Sequence, residues 1–170
     1  MSSASSHASQ HRVNTGASRT RALPGRTGHG TEVAGYVTRY VGAVSVLIVG
    51  GIHAQQYYYA YFSVVPTIGT LFLLSFIGSG VFGAVLIAPV RRLGRNLGDL
   101  ALVGASLGGI GVAAGSLVSL LISEYTPLFG FMESGYRLAV VLTLVFDVMT
   151  TVFLGFFVLA LGRRMVAPPR

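Results

Sequence analysis

"VLTLVFDVMTTVFLGFF", from Val141 to Phe157, is apolar at both ends and has one acid, Asp147, in its middle. The stretch belongs to an apolar run at residues 138–162, and three similar runs precede it, at residues 36–57, 67–90 and 100–123. Each run is about as long as the ~20 residues that cross a ~30 Å hydrocarbon layer. Because backbone polar groups in lipid must pair internally, the four runs are predicted to be transmembrane helices.

The composition supports a membrane protein. Of the 170 residues, 52% are hydrophobic and only 10% are charged, whereas a soluble domain usually has about 25% charged residues. A soluble helix bundle would need a polar face on each helix, and none of the runs has one. We therefore predict an all-α fold, a four-transmembrane-helix bundle at residues 33–164, with the lipid bilayer as its main partner.

The two tails lack this apolar pattern. Residues 1–32 are rich in Ser, Thr, Gly and Arg, and are predicted to be a disordered tail. Residues 165–170 form a second, short tail. An Arg- and Ser-rich, acid-poor start is also typical of an organellar transit peptide, although the amphipathic face of such peptides is missing here.

The basic residues indicate an orientation. The net charge is +7, but the arginines flank the apolar runs instead of forming one basic face, so no nucleic-acid binding is expected. The arginines that we expect to determine topology are Arg39, Arg91, Arg92, Arg95, Arg163 and Arg164. Since positively charged loops stay in the cytoplasm, they predict a cytoplasmic-membrane protein with both termini cytoplasmic.

The third run contains a row of small residues. The row consists of Gly104, Gly108, Gly111, Gly115 and Ser119. Their spacing places them on one helix face, which favours close helix packing. The third helix is therefore predicted to be the central, most crowded one, and a glycine-lined path or hinge is the alternative. A second row contains Ala105, Gly109 and Ala113, and the second run has a matching row of Ser75, Ser79 and Gly83.

Asp147 is the first candidate for chemistry. Ten residues of helix place it about 15 Å below the start of its run, close to the midplane. An acid there is expensive and should face the bundle, where desolvation disfavours the ionised form. Thr143 and Thr151 lie on the same helix face. Serines at similar depth are the expected hydrogen-bond partners: Ser45, Ser75, Ser79 and Ser116.

Two roles fit this acid. A protonated Asp147 could bridge two helices, or it could form a proton or cation site in a carrier together with His53, Thr143 and Thr151. The lack of a second midplane charge argues for the structural role.

His53 is the second candidate. It lies near the outer end of the first run, and no second histidine lies within any run to complete a bis-histidine haem site. An interfacial hydrogen-bonding role is expected. Helix rise separates its depth from that of Asp147 by about 8 Å, so a pair would need water or helix tilt.

Templates for enzymes and cofactors are missing from the sequence. It has no Gly-rich phosphate loop after a strand and no HExxH or GxSxG motif. It also has no cysteine, which excludes a disulfide and a thiolate metal site. We therefore predict no enzymatic activity, no metal and no cofactor.

Two stretches suggest a family. "GIHAQQYYYAYFSVVPTIGTLFLL", at 51–74, and "TPLFGFMESGYRLAVVLTLVFDV", at 126–148, resemble segments of small, uncharacterised four-helix integral membrane proteins of high-GC, actinobacterial-type bacteria. The shared features are His53, the PTIG stretch at 66–69, the LFGF stretch at 128–131 with Glu133, and Asp147. The resemblance covers the membrane domain without the tail. It implies the four-helix fold and no particular activity.

These observations lead to one main functional prediction and two alternatives. The main prediction is a non-enzymatic accessory or interaction protein of the membrane, with a membrane-protein partner or as a homo-oligomer. The first alternative is a subunit of a small proton-coupled carrier or channel that uses Asp147. The second alternative is a haem- or quinone-binding subunit.

Overall fold

The computed structural model describes residues 27–59, 62–64, 66–126 and 138–166. The four α-helices are α1 (Thr27–Tyr59), α2 (Pro66–Ile87), α3 (Arg95–Tyr125) and α4 (Leu138–Val166). Short 3₁₀ turns lie at Phe62–Val64 and Val90–Leu93. Each α-helix is long and apolar enough to cross a membrane. The predicted all-α bundle of four transmembrane helices is therefore confirmed.

Three of the helices are longer than their apolar runs. The first helix begins at Thr27 instead of residue 36, so residues 27–32 of the predicted tail are helical. The third begins at Arg95 instead of residue 100, and the fourth continues to Val166 instead of ending at residue 162. Apolar composition marks only the part of a helix within hydrocarbon, while backbone hydrogen bonding continues into the headgroup zone.

The second helix is shorter than predicted, because it ends at Ile87 and not at residue 90. Pro89 disfavours helical geometry at the residue before it, which explains this end. Residues 1–26, the segment at 127–137 with Glu133 and Arg137, and residues 167–170 lie outside the described residues.

The connection between α2 and α3 is a tight turn held to the start of α3. Gly94 has a φ of 110°, which L side chains rarely adopt. Gly98 lies directly under the turn, since a Cβ atom there would be 2.7 Å from Cα of Arg91. Asp99 adds an ion pair, with its Oδ1 atom 3.0 Å from Nε of Arg91. These contacts fix the turn on the first two turns of α3.

The four helices form a ring in chain order. α1 packs against α2 and α4, α3 packs against the same two helices, and α1 and α3 hardly touch. The prediction that the third helix is the central one is therefore wrong, because α1 is the most enclosed helix. Small residues on α1 explain this: a Cβ atom on Gly50 would be 2.7 Å from Cβ of Ser79, and one on Gly42 would be 2.7 Å from Cγ of Leu154.

The bundle has an apolar core at one end and an apolar outer surface. The buried core consists of Ala43, Val46, Leu86, Leu102, Ala105, Leu154, Phe157 and Leu161. It lies near the end where the arginines flank the helices, which we call the arginine end. On the outside, large side chains such as Leu74 and Phe156 are 60% and 62% exposed. Such a surface implies contact with the lipid bilayer.

Candidate functional site

Asp147 lies inside the bundle, as the sequence predicted. Its side chain on α4 is 0% exposed. Neither of its carboxyl oxygens has a hydrogen-bond partner among the described residues. A buried acid of this kind is expensive in a membrane, and its placement away from lipid is the least costly arrangement open to it.

Ser116 connects Asp147 to His53. Its Oγ atom on α3 is 3.3 Å from Nε2 of His53 on α1. The same hydroxyl is close enough to the carboxyl group of Asp147 to interact with it, although without the geometry of a hydrogen bond. A serine hydroxyl can donate one hydrogen bond and accept others. It could therefore pass a proton between the two neighbours once it forms a hydrogen bond to Asp147, with the direction set by the tautomer of His53.

His53 and Asp147 lie closer to each other than their positions along the helices predicted. From helix rise, His53 and Asp147 were expected to meet only through water or helix tilt. A protein hydroxyl joins them instead, and three helices each contribute one member of the group. We refer to His53, Ser116 and Asp147 as the polar triad.

His53 is held by aromatic packing as well as by Ser116. It is 4% exposed, and its ring centroid is 5.4 Å from that of Phe72 on α2, at an interplanar angle of 43°. Its Nδ1 atom is directed towards the Val49 carbonyl one turn earlier and makes no well-formed hydrogen bond among the described residues. The imidazole is therefore positioned by its neighbours, with Nε2 directed towards Ser116.

The threonines around Asp147 have separate roles. Thr151 donates a 2.9 Å hydrogen bond to the backbone carbonyl of Asp147, so it serves the helix and not the carboxyl group. Thr143 lies one helix turn before Asp147 in α4. It is buried and lines a cavity. Thr150 is fully buried, and its hydroxyl has no partner among the described residues.

A cavity of about 320 Å³ opens beside the polar triad, in the half of the bundle away from the arginine end. All four helices line it. Its polar walls are His53, Gln56, Ser75, Ser116, Ser119, Ser123 and Thr143. Asp147 is not among the lining residues, whereas Ser116 and Thr143 are. A glycine-lined path was the alternative interpretation of the α3 row, and Gly111 and Gly115 of that row line the cavity. Its position beside His53 and Thr143 was not predicted.

The glycine row of α3 is divided between several environments. Gly108 faces α2, where a Cβ atom would collide with the ring of Phe82. A Cβ atom on Gly104, Gly111 or Gly115 would meet nothing within 4 Å. Gly111 and Gly115 line the cavity together with Ser119. The row therefore makes one close helix contact and otherwise leaves space, while Ala105, Gly109 and Ala113 of the second row are the buried ones.

Of the four serines considered as partners of Asp147, only Ser116 has a contact with it. Ser45 donates to the carbonyl of Val41 in its own helix. Ser79 lies against Gly50, and its hydroxyl has no partner among the described residues. Ser75 lines the cavity. The sequence thus predicted Ser116 as one of four possible partners, but it did not distinguish Ser116 from the other three.

The arginines lie together at the arginine end, but they are not equivalent. Arg39 is buried at 7% exposure and donates to the carbonyls of Leu86 and Ala88, at 2.6 and 2.8 Å. It therefore satisfies backbone groups at the end of α2. Arg91 pairs with Asp99. The other four are exposed: Arg92, Arg95, Arg163 and Arg164.

Within the part of the chain that the structure describes, no three His, Asp or Glu side chains come close enough together to hold a metal ion. Comparisons of the chain with protein families, with curated proteins and with solved structures give no match. The polar triad and the cavity are therefore the features that bear on its function.

Proposed function

We propose that this protein is a component of a small carrier or channel that binds a proton or a small cation at Asp147. The observation on which the proposal depends is the complete burial of Asp147, whose carboxyl oxygens have no hydrogen-bond partner among the described residues. The acid lies near Ser116, which contacts His53 at the wall of the cavity. An ionisable residue within a membrane is a functional candidate by default. Here it also lies near a cavity and an imidazole that can exchange protons.

The cavity beside the polar triad lies in one half of the bundle, which is the arrangement expected of a transport protein in one of its states. The cavity opens in the half of the bundle that bears His53 and Thr143. In the other half, the apolar core around Leu154 and Leu86 closes the bundle. A proton or cation that reaches Asp147 from the cavity would need a rearrangement of this core to continue.

The test is proton flux into liposomes that contain the purified full chain, measured with an internal pH dye under an imposed gradient. We expect Asp147→Asn to abolish the flux. Asp99→Asn is the matched control, since it makes the same chemical change in a residue paired with Arg91 far from the cavity. Equal flux in wild-type protein and Asp147→Asn would refute the proposal, as would a wild-type flux no higher than that of empty liposomes.

Ser116 provides a second comparison. If its hydroxyl relays protons, Ser116→Ala should slow the flux about 100-fold, the lower end of the ~10²–10⁴-fold contribution of a positioned proton-transfer group. Ser106→Ala is the control, because Ser106 is a buried serine on the same helix that donates to the carbonyl of Leu102. Loss of flux in both variants alike would indicate a general disturbance of α3 instead of a relay.

We further propose that the protein lies in the cytoplasmic membrane with both termini in the cytoplasm, supported by the arginine end. Because the chain has no cysteine, single introduced cysteines can be labelled in cells with an impermeant maleimide. A cysteine at Ser2 should stay unlabelled, and one at Tyr59, which is 80% exposed at the opposite end of α1, should react. The reverse pattern would overturn the orientation.

The other expectations from the sequence stay predictions. An accessory role without enzymatic activity is not favoured by any feature of residues 27–59, 62–64, 66–126 and 138–166, since no partner can be identified from them. Membership of the four-helix family of high-GC bacteria likewise remains a proposal based on the two quoted stretches.

A further inference from the structure

A small cleft at the arginine end brings together three guanidinium groups from three different elements. It is lined by Arg39 of α1, Arg91 of the 3₁₀ turn and Arg164 of α4. Gly35 and Tyr36 of α1 and the end of α4 complete its walls, and its volume is about 30 Å³. It lies at the opposite end of the bundle from the cavity beside the polar triad.

Arg39 forms the rigid floor of this cleft. Its Nε and Nη2 atoms donate to the carbonyls of Leu86 and Ala88, which fixes the plane of the guanidinium group. An arginine has five N–H donors in one rigid fork. These two bonds therefore position the group and leave further donors on a side chain that is 7% exposed and lines the cleft.

The other two arginines are also placed by contacts. Asp99 binds Nε of Arg91 at 3.0 Å. Arg164 lies against α1, where its Nη2 atom would be 3.9 Å from a Cβ atom on Gly35. Among the described residues that line the cleft, there is no acid. Asp99 offsets part of the charge of Arg91. Because each guanidinium group has five N–H donors, the three arginines still direct several donors to one small space, an arrangement suited to a bound anion.

The geometry indicates what kind of anion fits. Guanidinium groups bind phosphate oxygens through paired hydrogen bonds more effectively than a point charge does. A volume near that of one water molecule, about 30 Å³ in the liquid, admits one or two oxygens and not a whole ligand. The rest of the ligand must therefore lie outside, at the level of the lipid headgroups, where Tyr36 and Tyr40 are also exposed.

We propose that this cleft binds a phosphate group, and that an anionic phospholipid of the adjacent leaflet presents it. Basic clefts between transmembrane helices are suited to such headgroups, and anionic lipids are concentrated at the cytoplasmic face. The site is independent of the polar triad, so it stands or falls separately from proton or cation binding at Asp147.

The experiment uses the full chain in a mild detergent, with added phosphatidylglycerol counted as bound lipid by native mass spectrometry. Phosphatidylcholine is the zwitterionic comparison. The chain offers two matched pairs: Arg164→Gln with Arg163→Gln, and Arg91→Gln with Arg92→Gln. Each variant removes one positive charge, and the two arginines of a pair are adjacent in the chain and exposed. Only Arg164 and Arg91 line the cleft, so the other variant of each pair is the control. Arg39 is left intact because it also holds the end of α2.

We expect Arg164→Gln and Arg91→Gln each to weaken phosphatidylglycerol binding about fivefold, the factor that one basic residue contributes near an anionic surface. The control variants should change it less than twofold. Equal losses within each pair would overturn the proposal, because they would indicate diffuse attraction. A wild-type protein without preference for phosphatidylglycerol over phosphatidylcholine and without phosphate binding would overturn it too.

Competition with inorganic phosphate identifies the source of the group. If millimolar phosphate leaves lipid binding unchanged, the lipid is the ligand. If phosphate itself binds, and Arg164→Gln weakens that binding more than Arg163→Gln does, the site is confirmed with a soluble phosphate compound as its ligand.

Discussion

Gly50 and Gly51 are adjacent in α1, yet an added methyl group should have opposite effects at the two positions. A Cβ atom on Gly50 would be 2.7 Å from Cβ of Ser79 in α2. One on Gly51 would meet nothing within 4 Å. The Cβ atom of a serine is attached to the backbone and cannot rotate away. In Gly50→Ala, therefore, α1 and α2 must move apart.

The structure gives the size of the effect. Carbon atoms pack best about 3.5–4.0 Å apart, so the two helices must separate by roughly 1 Å. Overpacking of this kind costs about 1–3 kcal/mol. Replacing glycine by alanine also favours the helix by up to about 1 kcal/mol, and this gain is common to both positions. The difference between the two variants then isolates the collision, and Gly50→Ala should be about 1–3 kcal/mol less stable than Gly51→Ala.

Steric trapping in bicelles measures the free energy of unfolding without a soluble unfolded state. The chain has no native cysteine, so two introduced cysteines can carry the biotin labels. Tyr59 and Tyr125 are suitable sites, since they are 80% and 81% exposed at the ends of α1 and α3. Free energies of unfolding for Gly50→Ala and Gly51→Ala within about 0.5 kcal/mol of each other would contradict the packing of α1 on α2 described above.

Two further predictions use the same labelled protein, and a third uses a single cysteine at Ser119. Arg39→Met should lower the free energy of unfolding by about 1–3 kcal/mol, since it removes two interhelical hydrogen bonds of about 0.6–1.7 kcal/mol each; an unchanged value would mean that the carbonyls find other partners. Asp147→Val should leave stability unchanged or raise it by about 1 kcal/mol, because a buried polar group without a partner costs stability. Gly115→Leu should fill the cavity and slow maleimide labelling of a cysteine at Ser119, whereas Gly104→Leu, outside the cavity, should leave the rate unchanged.

The number of helices was predictable because lipid imposes one dominant constraint. A run of about 20 apolar residues has to be a helix if it crosses the bilayer. The ends were less predictable, since they depend on local geometry. Pro89 ends α2 early, and Gly94 with its positive φ starts α3 before the apolar run begins.

The neighbours of each helix could not be predicted from spacing. The periodicity of the α3 glycines gives a face, but it does not say what lies opposite that face. Within the α3 row only Gly108 makes a close approach, to Phe82. Other close approaches are made by Gly42 and Gly50 of α1, which were not predicted, and by Gly83 of the predicted α2 row, which faces Leu47. A small residue at a contact has the same spacing as a small residue beside a cavity, so pattern alone cannot separate the two.

The polar triad was partly predictable. Helix rise predicted Asp147 at mid-depth and facing inward, and its complete burial agrees with the inward orientation. The partner was not predictable, because contact between Ser116 and His53 depends on how α1 and α3 lie relative to each other. Transmembrane helices tilt by about 20° on average, which shifts the relative depth of two residues by several ångströms. A comparison based on rise along separate, untilted helices therefore overestimates the distance between His53 and Asp147.

The two roles considered for Asp147 have different structural requirements. An acid that only bridges helices needs a well-formed hydrogen bond across the interface, because that bond is its whole contribution to stability. The carboxyl oxygens of Asp147 have no such bond among the described residues, and Ser116 meets the group without hydrogen-bond geometry. The bundle thus bears the cost of burying the acid without the gain that a structural role would bring. Beside a cavity lined by His53 and Ser116, this imbalance favours a site that exchanges a proton or a cation.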